Sequence, residues 1–260
     1  MANPYRDQAL VLHRRPSGEV DRIVTMLTRE HGLQTVIARG VRKPQARNAA
    51  GIELYNHSLV ELMPGRGFTV LIRAVSQSDY WPAEDLVRTS CFSLIGEAGE
   101  SVTQNDVSDP GVFDAVLAAR DSIVAFSEDP RVTLMYAMRN LVGQAGYFPE
   151  LHACGECQKP VLGERRWFVP QLGSVIHDAC RGPEHIAMRC VSATCDALES
   201  DGDSWSLDPR PSVEVALAGV RLLTSHLGYQ VDHRFRSMTL LQQLASSQVL
   251  EKSGAREVDL

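Results

Sequence analysis

Apolar and β-branched residues in the first 80 positions come in five short segments separated by turn residues, which is typical of strands. Turn signals between the segments are Pro16-Ser17-Gly18, His31-Gly32 and Pro64-Gly65-Arg66-Gly67. Five strands with no long helix between them predict a small closed barrel. Both an OB-fold and an SH3-like barrel have this number of strands, so the count alone does not distinguish them. The segments are Ala9–His13, Arg22–Thr28, Gln34–Ala38, Ser58–Met63 and Phe68–Val75.

From about residue 84 onwards, the apolar positions recur at helical spacing. Asp109-Pro110 and Asp129-Pro130 each place an N-cap carboxylate before a proline at the first helical position, and Gly146 is placed to end a helix. Further helices are predicted from about Val213 to Gly228 and over Met238–Leu250. The sequence therefore predicts an α+β protein, with strands in residues 1–80, a helical domain in 81–250 and a disordered polar tail in 251–260.

Charge is distributed unevenly along the chain. The whole sequence has 26 basic and 32 acidic residues, yet residues 1–80 hold 11 Lys and Arg against 7 Asp and Glu. The segment 32–52 contains no acidic residue and carries Arg39, Arg42, Lys43 and Arg47. Basic clusters bind nucleic acid by releasing counterions from phosphates, so the local cluster matters more than the net charge. This segment predicts a surface for a polyanion, and a solvated basic turn is the alternative.

Two ligand pairs interrupt the predicted helical domain. Cys154 and Cys157 form a Cys-x2-Cys pair, and His177 and Cys180 form a His-x2-Cys pair after 19 intervening residues. Two such pairs can surround zinc tetrahedrally, and four N/S ligands leave no open position. We therefore predict a structural zinc knuckle at about residues 152–182. Cys190 or Cys195 could replace His177, or both could be buried thiols like Cys91.

Several classes of protein are disfavoured. None of the three lysines follows a phosphate-binding glycine pattern, and neither Gly-x-Ser-x-Gly nor His-Glu-x-x-His occurs. We therefore expect a protein that is not an enzyme. The N-terminal residues lack the layout of a signal peptide, and no apolar run reaches the length of a membrane span, so a cytoplasmic protein without membrane contact is expected.

The ordered features resemble the RecO family of bacterial recombination mediators. The resemblance covers roughly residues 5–245 and rests on three segments, none of which is specific by itself. The first contains Gly18-Glu19, Asp21-Arg22, His31-Gly32 and Arg39-Gly40, the second is LVGQAGYFPELHACGEC, and the third is LTSHLGYQVDHRFRSMTLLQQL with Arg236-Ser237. In one departure, His177 stands where many zinc-bearing relatives have a cysteine.

The resemblance implies an N-terminal five-stranded OB-fold barrel, followed by an all-α domain with an inserted zinc knuckle. It also implies ATP-independent binding of single- and double-stranded DNA, annealing of single strands and work at the nucleoid. Together with RecR, such a protein assists loading of RecA onto DNA coated by single-strand-binding protein. We expect the C-terminal tail of single-strand-binding protein to contact Arg221 or Arg236. A zinc-ribbon RNA-binding or transcription accessory protein and a protein-interaction scaffold are the alternatives. The residues expected to bind DNA phosphates are Arg14, Arg15, Arg39, Arg42, Lys43 and Arg47, with Tyr55 and Phe68 as candidate stacking residues.

Overall fold

The computed structural model describes residues 3–78, 84–125, 129–200 and 210–244. Packing divides the described chain into two compact units, one from residues 1–84 and 99–124, and the other from 85–98 and 125–260. The predicted tail, 251–260, and the last residues of the predicted C-terminal helix lie outside the described residues. No helix in the described ranges is long and apolar enough to cross a membrane.

The first unit contains a closed barrel with the strand order β1-β2-β3-β5-β4. All neighbouring strands are antiparallel except β3 and β5, which pair in parallel at Val36↔Thr69 and Ile37↔Val70. This OB-like barrel confirms the predicted N-terminal fold. The strands are β1 (Tyr5–Ser17), β2 (Asp21–Thr28), β3 (Gly32–Ala38), β4 (His57–Met63) and β5 (Thr69–Ser76).

The barrel interior follows from alternation along each strand, because successive side chains point to opposite faces. In β3 the burial alternates from Gly32 to Ala38, and Val36 and Ala38 face the core. Strand β1 extends beyond the predicted segment at both ends. At its end, Pro16 and Ser17 pair with Arg22 and Asp21 rather than forming the turn. The turn instead occupies residues 18–20.

Two helical segments belong to the first unit. The end of α1 (Leu86–Val102) and nearly all of α2 (Pro110–Ala125) fall within it. Gly99 lets them approach, because a side-chain carbon there would lie 2.7 Å from Val116. Arg29, which directly follows β2, makes two hydrogen bonds to the carboxylate of Asp114 at 3.0 and 2.9 Å, which raises the pKa of Arg29 and lowers that of Asp114. The barrel is therefore tied to α2 by packing and by an ion pair.

The second unit is helical around a small sheet. Its helices include the first part of α1, α3 (Pro130–Gln144), α4 (Ser192–Glu199) and α5 (Val213–Gln230), and residues 236–244 are also helical. The predicted N-cap Asp129 accepts a hydrogen bond from the amide of Arg131, and Gly146 has a φ of +78° just after α3. The sheet has the order β7-β6-β8, made of β6 (Arg165–Val169), β7 (Ser174–Ile176) and β8 (Met188–Val191).

Candidate nucleic-acid interface and metal centre

The basic segment, defined here as residues 39–47, leaves β3 and folds through successive turns. The amide of Gly40 donates to Asp21 Oδ1 at 2.7 Å, and φ at Gly40 is +66°, a conformation that favours glycine. Arg42 is tied to the β1–β2 turn, because its amide donates to Val20 O at 2.9 Å and its guanidinium to Gly18 O at 3.2 Å. The segment is therefore held by backbone contacts, while its charged groups stay exposed.

The six residues predicted to bind phosphate do not all offer a free charge. Arg14 lies 2.5 Å from Glu53 Oε2, so much of its charge is already balanced. Within the described ranges, Arg39 and Lys43 form no ion pair, and both are exposed, as are Arg15, Arg42 and Arg47. The structure thus places five accessible cations on the barrel and its basic segment, with the sixth in an ion pair.

Arg47 lies at a second basic feature of the barrel. It lines a cavity of about 790 Å³ with Arg73 and Ile72 of β5 and with Glu61 of β4. Asn48 fixes this edge, because its side chain donates to Ile72 O at 3.0 Å and accepts from the amide of Ala74 at 3.1 Å. Arg73 was not among the residues predicted from the sequence, and the available signal was a basic residue within an otherwise apolar strand.

The two candidate stacking residues have different environments. Tyr55 is buried, and its carbonyl accepts a hydrogen bond from the buried side chain of Arg120 at 3.1 Å. Phe68, just before β5, is 59% exposed. Only Phe68 therefore presents a ring that an unpaired base could reach.

The predicted metal ligands lie together in the second unit. The ligand atoms of Cys154, Cys157, His177 and Cys180 all lie within 4.8 Å of one another. His177 Nδ1 is 3.4 Å from the sulfur of Cys157 and 3.9 Å from that of Cys180. A tetrahedral zinc site with Zn–S of about 2.3 Å and Zn–N of about 2.0 Å requires S···N separations of about 3.5 Å. The donor set therefore fits a tetrahedral metal ion.

Local backbone structure prepares these ligands. A tight hairpin carries the first pair, with hydrogen bonds from the amide of Cys154 to Lys159 O and from that of Gln158 to Cys154 O. Burial opposes ionisation of Cys154, but backbone amides of Cys157, His177 and Glu156 donate to its sulfur and lower its pKa to about 6. The first thiolate is thus favoured before a metal binds.

The environment of His177 also suits a ligand role. Its Nε2 lies 3.1 Å from the carbonyl oxygen of Pro160. Because a carbonyl only accepts, Nε2 carries the proton and Nδ1 presents its lone pair to the cluster. Gly155 allows the hairpin to pack closely on β7, since a side chain there would collide with Ser174.

Cys190 and Cys195 lie apart from this group of four. Both are buried, and their sulfurs are 3.1 Å from each other. Neither belongs to the metal-ligand group found among the described residues. The structure therefore favours His177 over either cysteine as the partner of Cys180.

The comparisons with known proteins agree with this architecture. A family model described as Recombination protein O N terminal matches residues 1–77, and one described as Recombination protein O C terminal matches residues 83–239. A DNA repair protein RecO from Heliobacterium modesticaldum is 34% identical over 182 residues, which cover 68% of this chain and 66% of the relative. The two family models together cover most of the sequence, and this chain belongs to the recombination protein O family.

Proposed function

We propose that this protein binds DNA without catalysing a chemical step and anneals complementary single strands. In recombinational DNA repair it would assist loading of RecA onto DNA coated by single-strand-binding protein, together with RecR. The observation that carries the proposal is the exposed basic segment on an OB-like barrel, in a chain that belongs to the recombination protein O family. The relative named DNA repair protein RecO supports the repair context.

The proposed mechanism is electrostatic. Guanidinium and ammonium groups at Arg15, Arg39, Arg42, Lys43 and Arg47 neutralise phosphates and release counterions, with little recognition of sequence. Two strands held on one basic surface repel each other less, and their local concentration rises, so complementary segments pair faster. Phe68 can add stacking on unpaired bases. Arg14, balanced by Glu53, contributes less than the other five.

The metal would be structural. Cys154, Cys157, His177 and Cys180 would hold zinc, which supplies folding energy to the hairpin and to the turn that carries Cys180. The four donors fill a tetrahedral shell, so they leave no position for an activated water. The partner contacts that we propose for the helical domain, including the tail of single-strand-binding protein, use exposed Arg221 or Arg236.

The test is binding of a labelled 30-nucleotide single strand across a salt series, together with annealing without ATP. Replacing Arg39, Arg42, Lys43 and Arg47 by Gln should reduce the slope of log K against log salt by about 2.8, since each phosphate contact on a single strand contributes about 0.7. The control variant carries Lys159→Gln and Arg234→Gln, which remove exposed charges from the second unit. An unchanged slope in the barrel variant would refute the assignment, and tighter binding of RNA than of DNA would favour the RNA-binding alternative.

A further inference from the structure

Four arginines and one tryptophan line a cavity close in sequence to the metal ligands. Arg165, Arg166 and Trp167 belong to β6, Arg189 belongs to β8, and Arg181 directly follows Cys180. These five residues are called the arginine cradle, and they line a cavity of about 520 Å³. The cradle is a second basic cluster, within a part of the chain where residues 81–260 hold 15 basic and 25 acidic residues.

Trp167 orients two of the guanidinium groups without neutralising them. Arg181 Cζ lies 4.0 Å from the centroid of the indole ring, and Arg189 Cζ lies 5.4 Å from it. Arg189 is also the direct cross-strand neighbour of Trp167. A cation over an aromatic face is attracted by the ring quadrupole but keeps its full charge. These arginines are therefore held in place and remain able to bind an anion.

Carboxylates near the cradle balance only part of its charge. Asp178 Oδ1 is 3.9 Å from Arg181, and Asp196 Oδ1 is 3.9 Å from Arg166, both longer than a hydrogen bond. Among the described residues, Arg165 and Arg189 form no ion pair. Asp178 also lines the cavity, and Glu199 interacts electrostatically with Arg166. The four guanidinium groups outnumber these three carboxylates, so the cradle keeps a net positive charge.

Arg166 is the most buried arginine of the cradle. Its side chain is 9% exposed, and its Nη1 donates to Leu151 O at 2.9 Å. Its Nε is buried and has no hydrogen-bond partner within the described structure. Arg166 also interacts with Cys195 and Glu199, so it adds positive charge beside the cavity rather than a donor that DNA could reach.

We propose that the arginine cradle binds the phosphodiester backbone of single-stranded DNA as a second site, separate from the barrel. This inference rests on the proposed DNA binding and adds a site for it. Arginine forks match phosphate oxygens in a bidentate manner. The indole ring already has two guanidinium groups over it, so the cradle offers charge to a ligand rather than a free aromatic face. That arrangement suits a phosphate chain better than a peptide anchored by an apolar side chain.

The first experiment removes two cradle charges that have no ion pair among the described residues. The full chain carrying Arg165→Gln and Arg189→Gln is compared with the Lys159→Gln, Arg234→Gln control by binding of the same single strand across a salt series. The cradle variant should lose about 1.4 from the salt slope and bind about 25-fold more weakly at 0.1 M salt. A slope equal to that of the control would overturn the inference.

A second experiment observes the site directly. Trp81→Phe and Trp205→Phe leave Trp167 as the sole tryptophan, and its fluorescence is titrated with oligo(dT) and, separately, with a poly-glutamate peptide. A fluorescence change with oligo(dT) that high salt reverses supports DNA binding at the cradle. The same change is expected in a variant whose basic segment on the barrel is neutralised. A response to the peptide alone would identify a peptide site and overturn the proposal.

The two proposals fail in different ways. If the unmodified chain bound no DNA at low salt, the proposed function would fall, and the inference with it. If the unmodified chain bound DNA and only the barrel variant lost affinity, the proposed function would stand and the cradle would be refuted. Circular dichroism of each variant confirms that lost binding does not reflect lost folding.

Discussion

Replacing Gly32 by alanine should destabilise the first unit much more than the same change at Gly18. Both glycines have nearly equal left-handed conformations, with φ of +63° and +62°. Around Gly18 nothing lies within 4 Å of an added side-chain carbon. At Gly32, that carbon would press on the carbonyl oxygen of Val107 and lie 2.6 Å from that of Gln104. The pair therefore separates backbone strain from steric collision.

The expected magnitudes follow from these contacts. At Gly18 only the left-handed conformation is penalised, which costs about 1 kcal/mol. At Gly32 the segment that carries Gln104 must also move, which breaks the hydrogen bond from the amide of Leu33 to Gln104 O, 3.3 Å long, at a cost of about 1 kcal/mol. Displaced packing adds at least about 1 kcal/mol. The loss at Gly32 should thus total about 3 kcal/mol or more.

Amide hydrogen exchange in peptides from β2 and β3 is the suitable assay, because it reports the local free energy of opening in a chain with two compact units. The free energy of opening measured in these peptides should fall by about 3 kcal/mol for Gly32→Ala and by about 1 kcal/mol for Gly18→Ala. Equal losses in the two variants would show that the segment near Gln104 and Val107 does not press on Gly32, and the reasoning would be wrong.

Three further predictions concern the second unit. Burial raises the pKa of Glu97, but amides of Ser237 and Arg236 donate to its carboxylate and lower it below the ordinary 4.5. Glu97→Gln should therefore lower the free energy of unfolding by about 1 kcal/mol at pH 7. Urea unfolding should show this difference shrink as the pH falls below 4.5, because Glu97 of the unmodified chain then becomes protonated and loses its charge. Gln158 has a φ of +60°, so Gln158→Gly should leave the melting temperature of the zinc-loaded protein equal or higher. Chelation should expose three additional maleimide-reactive thiols, those of the knuckle, whereas Cys91 stays unreactive because burial raises its pKa.

Local signals in the sequence predicted the elements well where one residue type determines the backbone. Asp129 followed by Pro130 marks the start of α3, and Gly146 follows its end. The x2 spacing likewise brought Cys154 near Cys157 and His177 near Cys180. Each of these features depends on residues within a few positions, so periodicity and capping rules suffice to find them.

Features that depend on distant residues could not be predicted. The parallel pairing of β3 with β5 closes the barrel, and nothing within either strand indicates this partner. The ion pair between Arg14 and Glu53 joins residues 39 positions apart, so the sequence alone overstates the free charge of Arg14. The arginine cradle was missed for the same reason, because Arg165, Arg181 and Arg189 are spread over an acidic background.

The partner of each arginine decides what the arginine can do. Arg29 is bound to Asp114 and Arg131 to Asp129, so their charges are used within the fold. Arg42 instead donates to a backbone carbonyl, and Arg181 lies over an indole ring. Neither neutral partner cancels a positive charge, and both restrict the side chain, so less conformational entropy is lost when a phosphate binds. Under the proposed function, Arg42 and Arg181 therefore stay available to a polyanion although the chain has a net charge of −6, whereas Arg29 and Arg131 serve the fold.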